Sequence, residues 1–206
     1  MSADVAYMEK VYNCYSRFYD QIFGKMVDSG REMAPFLLEL SPQSQLLEVG
    51  VGTGLSIPAL PRNVEITGID LSEKMLQRAR LRVESLGLEN TKLLRMDANH
   101  LDFPDDSFDR VLAAYFISTV PDPVQVILEM KRVCRSGGFL VFLNHFRGEN
   151  FLFGGVEKLV SPIFYRIGFR TDLKVHSLME ECGLTIESKT PIDFLGHWQA
   201  VRCVNP

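Results

Sequence analysis

Three glycines that follow a short apolar run are the first residues of this sequence whose spacing suggests chemistry. Gly50, Gly52 and Gly54 occupy alternate positions directly after residues 46–49, which read LLEV. Glycine lets a backbone turn sharply or lie against a ligand, and a helix beginning just beyond would add unpaired N–H groups. A buried strand, a glycine turn and a helix predicted over residues 55–60 indicate a site for a nucleotide-like ligand. The spacing is not the G-x-G-x-x-G of dinucleotide-binding dehydrogenases.

Three acidic residues stand where such a ligand would need them. Asp70 ends a strand predicted over residues 64–69, and its carboxylate can accept hydrogen bonds from both hydroxyls of a ribose. Asp97 follows a strand predicted over residues 91–95 and is suited to accept from an exocyclic adenine amine. Glu48 lies inside the first strand, where it favours a ligand that carries an ammonium and would repel a pyrophosphate. Helix capping is the alternative role for one or two of these acids. The glycine turn and the three acids occur together at the positions that a ligand site requires, which favours a binding site.

In this combination the sequence resembles the class I S-adenosylmethionine (SAM)-dependent methyltransferases. The resemblance rests on residues 48–54 (EVGVGTG), 68–72 (GIDLS), 96–98 (MDA) and 101–109 (LDFPDDSFD), and it covers roughly residues 45–145. It implies SAM as the cofactor and S-adenosylhomocysteine as the product, with the glycine loop under the methionine part, Asp70 at the ribose and Asp97 beside Ala98 at the adenine. The cofactor-binding residues that it implies are Tyr19, Glu48, Val49, Gly50, Gly52, Thr53, Gly54, Asp70, Leu71, Met75, Met96, Asp97, Ala98 and Ala114.

Strands and helices alternate along most of the chain. Strands are predicted over residues 46–49, 64–69, 91–95, 108–114, 139–144, 184–190 and 197–204, and further helices over residues 4–26, 25–40, 71–86, 123–133 and 176–182. Such alternation predicts an α/β protein with a doubly wound, mainly parallel sheet and a ligand at the carboxyl ends of its strands. The resemblance adds that this Rossmann-like sheet has seven strands and that the last strand is antiparallel.

Length, charge and cysteine content restrict the class of protein. The 206 residues fit one domain, and a net charge of −4 gives no general field for nucleic acid. Four cysteines without C-x-x-C spacing predict reduced thiols in a cytoplasmic protein, and four isolated histidines predict no metal site. The amino terminus shows no signal-peptide pattern, and no apolar run approaches about 18 residues. These features predict a soluble or peripheral protein rather than an integral one.

Two segments outside the alternating core are expected to decide the methyl acceptor. Residues 4–26 present one apolar helix face, which fits a lid on the sheet or an amphipathic helix that touches lipid, and the mixed charges favour the lid. Residues 147–174 are aromatic and locally positive within an acidic protein. The expected single methyltransferase domain over residues 1–206 divides into an N-terminal helical lid (1–40), a SAM-binding core (45–145), a substrate- or membrane-facing insertion (147–176) and a closing helix and strands (177–206).

Aromatic and basic side chains are the candidates for the acceptor site. Methyl transfer from a sulfonium is an in-line displacement that depends on positioning more than on acid–base groups, and the sequence shows no catalytic triad. The catalytic candidates are Tyr15, Tyr19, Tyr115 and His145, because several rings around a cleft suit a substrate that becomes a methylated ammonium. The candidates for holding a substrate phosphate are Arg147, Arg166 and Arg170. Tyrosines that fill the core and arginines on a solvated face are the alternative explanation.

Nearly from end to end, the chain is similar to the small bacterial phospholipid N-methyltransferases, which methylate phosphatidylethanolamine towards phosphatidylcholine. The segments that carry this resemblance are residues 15–20 (YSRFYD), 47–55 (LEVGVGTGL), 120–123 (VPDP), 144–146 (NHF) and 167–173 (IGFRTDL). It implies a phospholipid substrate, further methylation of the mono- and dimethylated forms, and peripheral attachment at the cytoplasmic face of the inner membrane.

Other functions stay open at this point. A quinone-ring C-methyltransferase would share the core and an N-terminal Tyr-Asp helix, with His145 recruited as a base. A small-molecule amine, such as a phosphorylated soluble one, is a further acceptor class. A SAM-binding protein without turnover is an alternative outside the enzymes. A nicotinamide dehydrogenase is disfavoured by the glycine spacing and by Glu48.

Overall fold

In the computed structural model, residues 28–146, 173–193 and 198–206 are described, and they build one mixed β-sheet flanked by helices. The strands are β1 (Gln45–Val49), β2 (Glu65–Asp70), β3 (Thr91–Arg95), β4 (Phe108–Ala114), β5 (Cys134–His145), β6 (Thr185–Pro191) and β7 (Trp198–Val204). The helices are α1 (Asp28–Leu38), α2 (Glu73–Ser85), α3 (Pro123–Val133) and α4 (Val175–Glu181), with short 3₁₀ helices at Ile57–Ala59 and Ile117–Thr119.

The order of the strands places a ligand crevice beside β1. The sheet runs β3-β2-β1-β4-β5-β7-β6, so that β2 and β3 lie on one side of β1 whereas β4 and β5 lie on the other. These five strands are parallel, and β7 is antiparallel to both β5 and β6. A crevice opens at the carboxyl ends of parallel strands where the order reverses. The α/β class, the doubly wound seven-stranded sheet and the antiparallel last strand are therefore confirmed.

The central strands are buried on both faces. Leu46 and Leu47 are adjacent in β1 and fully buried, yet they belong to two different hydrophobic clusters, as alternation along a strand requires. Leu47 shares its cluster with Val126 of α3, and Leu46 shares the other with Leu38 of α1. Strands covered on both faces are normally apolar throughout. Glu48, which follows Leu47 and is 1% exposed, is therefore an exception that the site has to explain.

Most predicted elements agree with the structure. The helix predicted over residues 123–133 and the strand predicted over residues 108–114 have the observed bounds. Ser72 caps α2 as predicted, because its hydroxyl accepts from the N–H of Met75 at 3.2 Å. β5 begins at residue 134 rather than at residue 139, since the predicted turn is absorbed into the strand as a register shift against β4. Local sequence patterns thus predict the positions of most of these elements.

The helix predicted over residues 55–60 is wrong. Only a three-residue 3₁₀ helix, Ile57–Ala59, forms there. Pro58 lacks an N–H, and Leu60, which precedes Pro61, is extended with φ −83° and ψ 147°. The two prolines leave no room for an α-helical turn, so the glycine loop does not lead into an α-helix.

Several sequence-based expectations lie wholly or partly outside the described residues. The helix predicted over residues 4–26 is one, and most of the insertion predicted over residues 147–176 is another. Within residues 28–146, 173–193 and 198–206, no helix is long and apolar enough to cross a membrane. The same residues contain no cluster of three His, Cys, Asp or Glu side chains that could hold a metal ion. The division of the chain into lid, core, insertion and closing elements stays a prediction.

Two neighbouring glycines at the start of β5 provide a test of this packing. An added Cβ on Gly138 would lie 2.7 Å from Cys134 Sγ and 2.8 Å from the carbonyl oxygen of Asp109, whereas one on Gly137 would meet nothing within 4 Å. Gly137 has a φ of +72°, which alanine adopts only at a cost. We expect Gly137→Ala to lower the free energy of unfolding by about 1 kcal/mol and Gly138→Ala by about 3 kcal/mol. Urea denaturation measures both, and equal losses would contradict the packing described.

Candidate functional site

Three left-handed glycines shape the loop after β1. Gly50, Gly52 and Gly54 have φ values of +72°, +56° and +74°, which residues with side chains rarely adopt. A second constraint applies at Gly50, because an added Cβ would lie 2.1 Å from a ring carbon of Phe116. The N–H of Gly50 donates to the carbonyl of Ile69 at 2.9 Å. The alternate glycines therefore follow from a loop that turns back against β2 and, at Gly50, has no space for a side chain.

Asp70 fixes that loop to the end of β2. One of its carboxylate oxygens accepts from the N–H of Gly52 at 2.9 Å, and the other accepts from the N–H of Ser72 at 2.8 Å. Burial raises the pKa of Asp70 to about 6, against the lowering effect of these backbone donors. The backbone N–H of Leu71 is a third donor to this carboxylate, which has about four lone-pair sites, so one site remains for a ligand hydroxyl. The carboxylate is thus held in place before any ligand arrives.

A solvent-open cleft of about 800 Å³ lies at the carboxyl ends of the central strands. The sequence-predicted residues that line it are Gly50, Gly52, Asp70, Leu71, Met75, Met96, Asp97, Ala98, Ala114 and Tyr115. Residues that the sequence analysis did not single out also line it, among them Ser72, Asn99, Phe116, Thr119, Val120 and Pro121. The structure therefore brings most of the predicted cofactor residues to one cleft.

Asp97 reaches this cleft with one oxygen already engaged. Its Oδ1 accepts from the backbone N–H of Asn99 at 2.9 Å and from the side-chain amide of Asn99 at 2.8 Å. These two bonds hold the carboxylate and leave Oδ2 as the oxygen suited to an amine of a ligand. The spacing D-x-N is typical of a local side-chain-to-backbone turn, so the sequence did carry a signal for Asn99.

A smaller recess of about 280 Å³ continues from the cleft along the glycine loop. It shares Gly50, Gly52 and Ala114 with the cleft, and it adds Arg31, Glu48, Thr53, Leu55 and Ser56. One oxygen of Glu48 accepts from the hydroxyl of Ser56, and the other is buried with no hydrogen-bond partner among the described residues. Desolvation raises the pKa of Glu48 to about 7, opposed by the Ser56 hydrogen bond and the charge of Arg31. The recess therefore offers a buried acceptor to a donor that those residues do not supply.

Tyr115 and His145 come together around Trp198. The Tyr115 ring centroid lies 5.3 Å from that of Trp198, and the His145 centroid lies 5.5 Å from it, both edge to face. Tyr115 is 7% exposed and has a φ of +59°, an unusual backbone conformation for a tyrosine. The guanidinium of Arg31 lies 5.4 Å from its ring centroid, and an added Cβ on Gly30 would lie 2.1 Å from its hydroxyl oxygen. Tyr115 thus lines the cleft while its hydroxyl packs against α1.

The remaining predicted site residues line neither cavity or lie outside the described residues. Val49 is fully buried in the core. An added Cβ on Gly54 would come within 3.2 Å of Ala79 in α2, so this glycine lets the loop pack on a helix. The predicted residues outside the described ranges are Tyr15, Tyr19, Arg147, Arg166 and Arg170.

Arg31, Ser56 and Phe116 are the principal site residues that sequence reasoning missed. Arg31 reaches the recess from α1, and Phe116 meets the glycine loop from the turn after β4. No local pattern marks either residue, because both contacts join distant parts of the chain. Ser56 stands directly after the glycine loop, but nothing in the sequence shows that its hydroxyl turns back to Glu48.

Comparison with known proteins adds independent findings. A family model described as a methyltransferase domain matches residues 47–142. The chain is 41% identical over 188 residues to a phosphatidylethanolamine N-methyltransferase of Cereibacter sphaeroides, a match that covers 90% of this chain and 92% of that protein. It is 30% identical over 181 residues to a demethylmenaquinone methyltransferase of Listeria monocytogenes, with 84% of this chain and 76% of that protein covered.

Solved structures share the fold at lower identity. A SAM-dependent methyltransferase of Thermotoga maritima, described as a possible histamine N-methyltransferase, superposes with a TM-score of 0.71 at 22% identity, covering 97% of this chain and 100% of that one. A SAM-dependent methyltransferase of Aquifex aeolicus gives a TM-score of 0.65 at 21% identity, with 89% and 96% covered. At these identities the likeness shows the fold alone.

The substitution Glu48→Gln tests how much the ionisation of this buried carboxyl destabilises the fold. Its pKa of about 7 in the fold exceeds the ordinary value of 4.5, so the fold resists its ionisation. This destabilising effect is absent below pH 4.5, grows as the pH rises, and is complete above pH 7. The quantity to compare is the free energy of unfolding of Glu48→Gln minus that of the wild type, both without ligand. We expect this difference to be about 2–3 kcal/mol larger at pH 8 than at pH 4.5.

Urea denaturation across that pH range measures the difference. Asp70, the other acid that acts on Glu48, is present in both proteins, so its own titration largely cancels in the comparison. Glu65→Gln, on an exposed residue of β2, is the matched control and is expected to show no such trend. A Glu48→Gln difference that does not change with pH would contradict a raised pKa.

Proposed function

The chain belongs to the class I SAM-dependent methyltransferases, and we propose that its acceptor is the amine of phosphatidylethanolamine and of its mono- and dimethylated forms. The observation that carries the proposal is the 41% identity to a phosphatidylethanolamine N-methyltransferase over 90% of this chain. The demethylmenaquinone methyltransferases match at 30% identity over 84% of the chain, which makes a quinone-ring carbon the second candidate acceptor. SAM is the cofactor in either case.

The residues of the two cavities fit SAM. The buried oxygen of Glu48, without a hydrogen-bond partner among the described residues, suits the ammonium of the methionine part. The left-handed glycines let the backbone lie close to that part of the cofactor. The remaining acceptor capacity of the Asp70 carboxylate suits a ribose hydroxyl, and Oδ2 of Asp97 suits the adenine amine. We therefore assign the cofactor to the cleft, with its methionine part in the recess.

The chain's own part in the reaction is positioning. When bound, SAM supplies a methyl group on a positively charged sulfur, and an acceptor displaces it in line. Ala114 and Phe116 form part of the cleft wall and give it apolar surface. An amine held in line at the cleft needs no catalytic triad, because most of the rate enhancement comes from orientation.

The acceptor site is assigned partly from sequence. Arg31 already lies 5.4 Å from the ring centroid of Tyr115, so one face of that ring has a cation of the protein itself. In this proposal Tyr15 and Tyr19 supply the main aromatic surface for the acceptor amine, and Tyr115 completes the wall. The proposed contacts to the lipid phosphate are Arg147, Arg166 and Arg170.

Attachment to a membrane surface follows from the proposed substrate. The amine of phosphatidylethanolamine lies in the headgroup layer of a bilayer, so the enzyme must reach that layer to use it. Residues 4–26 carry the amphipathic pattern suited to such a surface, and residues 147–174 carry the positive charge that anionic lipids attract. We propose a peripheral enzyme at the cytoplasmic face of the inner membrane.

Methyl incorporation into liposomes tests the acceptor. We expect labelled SAM to transfer methyl groups to phosphatidylglycerol liposomes only when they contain phosphatidylethanolamine, and lipid mass spectrometry to show one, two or three added methyl groups. The same assay with demethylmenaquinone in the liposomes tests the second candidate. Incorporation into the quinone and none into the ethanolamine lipid would overturn the proposal, as would no incorporation by a protein that binds SAM.

Asp70→Ala tests the placement of the cofactor. The variant loses the acceptor for the ribose hydroxyls and also the anchor of the Gly52 N–H, so we expect SAM affinity to fall about 100-fold. Asp102→Ala removes an exposed acid that does not line the cleft and is expected to bind as the wild type does. Isothermal titration calorimetry gives both affinities. Unchanged binding by Asp70→Ala would show that the ribose lies elsewhere.

A further inference from the structure

Three polar side chains on one face of α3 reach the same stretch of chain. Gln125, Glu129 and Arg132 are spaced four and three residues apart, so they follow one another along the helix surface. All three form hydrogen bonds with the segment of residues 99–105. This segment belongs to the β3–β4 loop (residues 96–107), whose first four residues line the cleft. The helix thus holds one wall of the cleft through its side chains.

Arg132 is the centre of these contacts, and each nitrogen of its guanidinium is engaged. Nε donates to Glu129 at 2.8 Å, and Nη2 donates to the other oxygen of Glu129 at 2.9 Å and to the carbonyl of Leu101 at 2.8 Å. Nη1 donates to the carbonyl of Phe103 at 2.8 Å and to the carboxylate of Asp105 at 2.7 Å. A planar guanidinium with five N–H donors is suited to join several points of a loop in this way.

Glu129 joins this arginine to the buried side of the loop. It is 9% exposed, and its Oε2 accepts from the backbone N–H of Leu101 at 2.7 Å. The hydrogen bond from Arg132 is the main cause that lowers the pKa of Glu129, so the carboxylate stays charged in spite of its burial. Removing one member of such a pair leaves the other charge without its partner. Glu129 and Arg132 therefore act as a unit.

The same helix is attached to a second stretch of the cleft. Residues 119–121 line the cleft and lead directly into α3, where the side chain of Asp122 accepts from the N–H of Gln125 at 3.0 Å. The side-chain amide of Gln125 in turn donates to the carbonyl of Asn99 at 3.1 Å. Two stretches that line the cleft, residues 96–99 and residues 119–121, are thus attached to one helix. Their spacing depends on the contacts of that helix.

We propose that Glu129 and Arg132 are positioning residues that set the spacing of these two stretches and thereby the selectivity of the cleft for the nucleobase of its ligand. Neither side chain is among the residues that line the cleft, so both act through the β3–β4 loop. The inference rests on the cofactor placement proposed above, with the adenine at Asp97, and not on the methyl acceptor. A hydrogen bond from the base to Asp97 weakens steeply when the loop shifts. Loss of Arg132 should therefore weaken recognition of the base more than binding of the ribose, which Asp70 holds from β2.

Calorimetric titration of two ligands, without any methyl acceptor, tests the inference. S-adenosylhomocysteine carries the adenine amine, whereas S-inosylhomocysteine has a carbonyl oxygen and an N1 proton instead and is otherwise the same molecule. The proteins are the wild type, Arg132→Met, Arg132→Lys, Gln125→Ala and Lys131→Met. Lys131 is the matched control, because it also lies on α3 but donates to the carbonyls of Cys182 at 3.2 Å and Gly183 at 2.8 Å, outside the β3–β4 loop. Circular dichroism melts establish whether each variant is folded at the temperature of the titration.

We expect the wild type and Lys131→Met to bind S-adenosylhomocysteine about 10- to 100-fold more tightly than S-inosylhomocysteine, because the carbonyl oxygen would face the carboxylate of Asp97. Arg132→Met should reduce this preference to about 3-fold or less. Arg132→Lys keeps the charge but not the planar fork, so it should restore part of the preference. Gln125→Ala removes the single bond to Asn99 and should reduce the preference about 3-fold.

Other outcomes would overturn the inference in distinguishable ways. Equal binding of both ligands by the wild type would show that the cleft does not select the base. A preference retained by Arg132→Met and Gln125→Ala would show that α3 does not set the selectivity, and Gln125→Ala decides alone if Arg132→Met is unfolded. An equal loss in Lys131→Met would mean that any loosening of the helix has this effect. Because no acceptor is present, none of these results depends on whether phosphatidylethanolamine is the substrate, and Asp70→Ala tests the cofactor placement separately.

Discussion

The pair of backbone hydrogen bonds accepted by Asp70 is the constraint on which the site depends. A carboxylate in a partly buried position needs donors, and here Gly52 and Ser72 supply them from two separate segments. The bond from Gly52 holds the glycine loop against the end of β2. The bond from Ser72 joins the end of β2 to the residue that caps α2. The acid that is suited to a ribose therefore also shapes the floor on which the ribose would lie. In the proposed placement, the atoms that bind the ribose are the same atoms that hold the glycine loop.

The loop after β1 and the turn after β4 are fitted to each other in the same way. Gly50 has no space for a Cβ because Phe116 occupies it. Phe116 is placed by the left-handed backbone of Tyr115 and by the 3₁₀ turn that follows, where Asn144 of β5 accepts from the N–H and the hydroxyl of Ser118 at 3.3 and 3.2 Å. Strain at Tyr115 is tolerated because its surroundings fix it on several sides. The cleft is thus assembled from the ends of four neighbouring strands, β3, β2, β1 and β4, rather than from one motif.

Sequence reasoning found what local patterns encode. Apolar runs, caps and the glycine spacing specified the bounds of β4 and α3, the role of Ser72 and the shared position of Gly50, Asp70 and Asp97, since each signal lies within a few residues. It failed over residues 55–60, where the apolar pattern predicted a helix ended by Pro61, although Pro58 lies within it and only a 3₁₀ turn forms. Arg31 and Trp198 could not be assigned to the site from sequence, because their contacts with Tyr115 join α1, β4 and β7 only after the sheet has formed. A motif identifies the cofactor class, whereas tertiary packing decides which side chains surround it.

The charges of the side chains around the glycine loop can be compared with the charge of the cofactor. Glu48, Asp70 and Arg31 together carry one net negative charge when both acids are ionised, and SAM carries one net positive charge. With the proposed placement, cofactor binding neutralises a region in which burial raises the pKa of Glu48 to about 7 and that of Asp70 to about 6. S-adenosylhomocysteine has lost the sulfonium charge, so in the same placement it would leave this net negative charge uncompensated. Because burial makes both acids difficult to ionise, a bound cation and the ionised acids would stabilise each other in this placement.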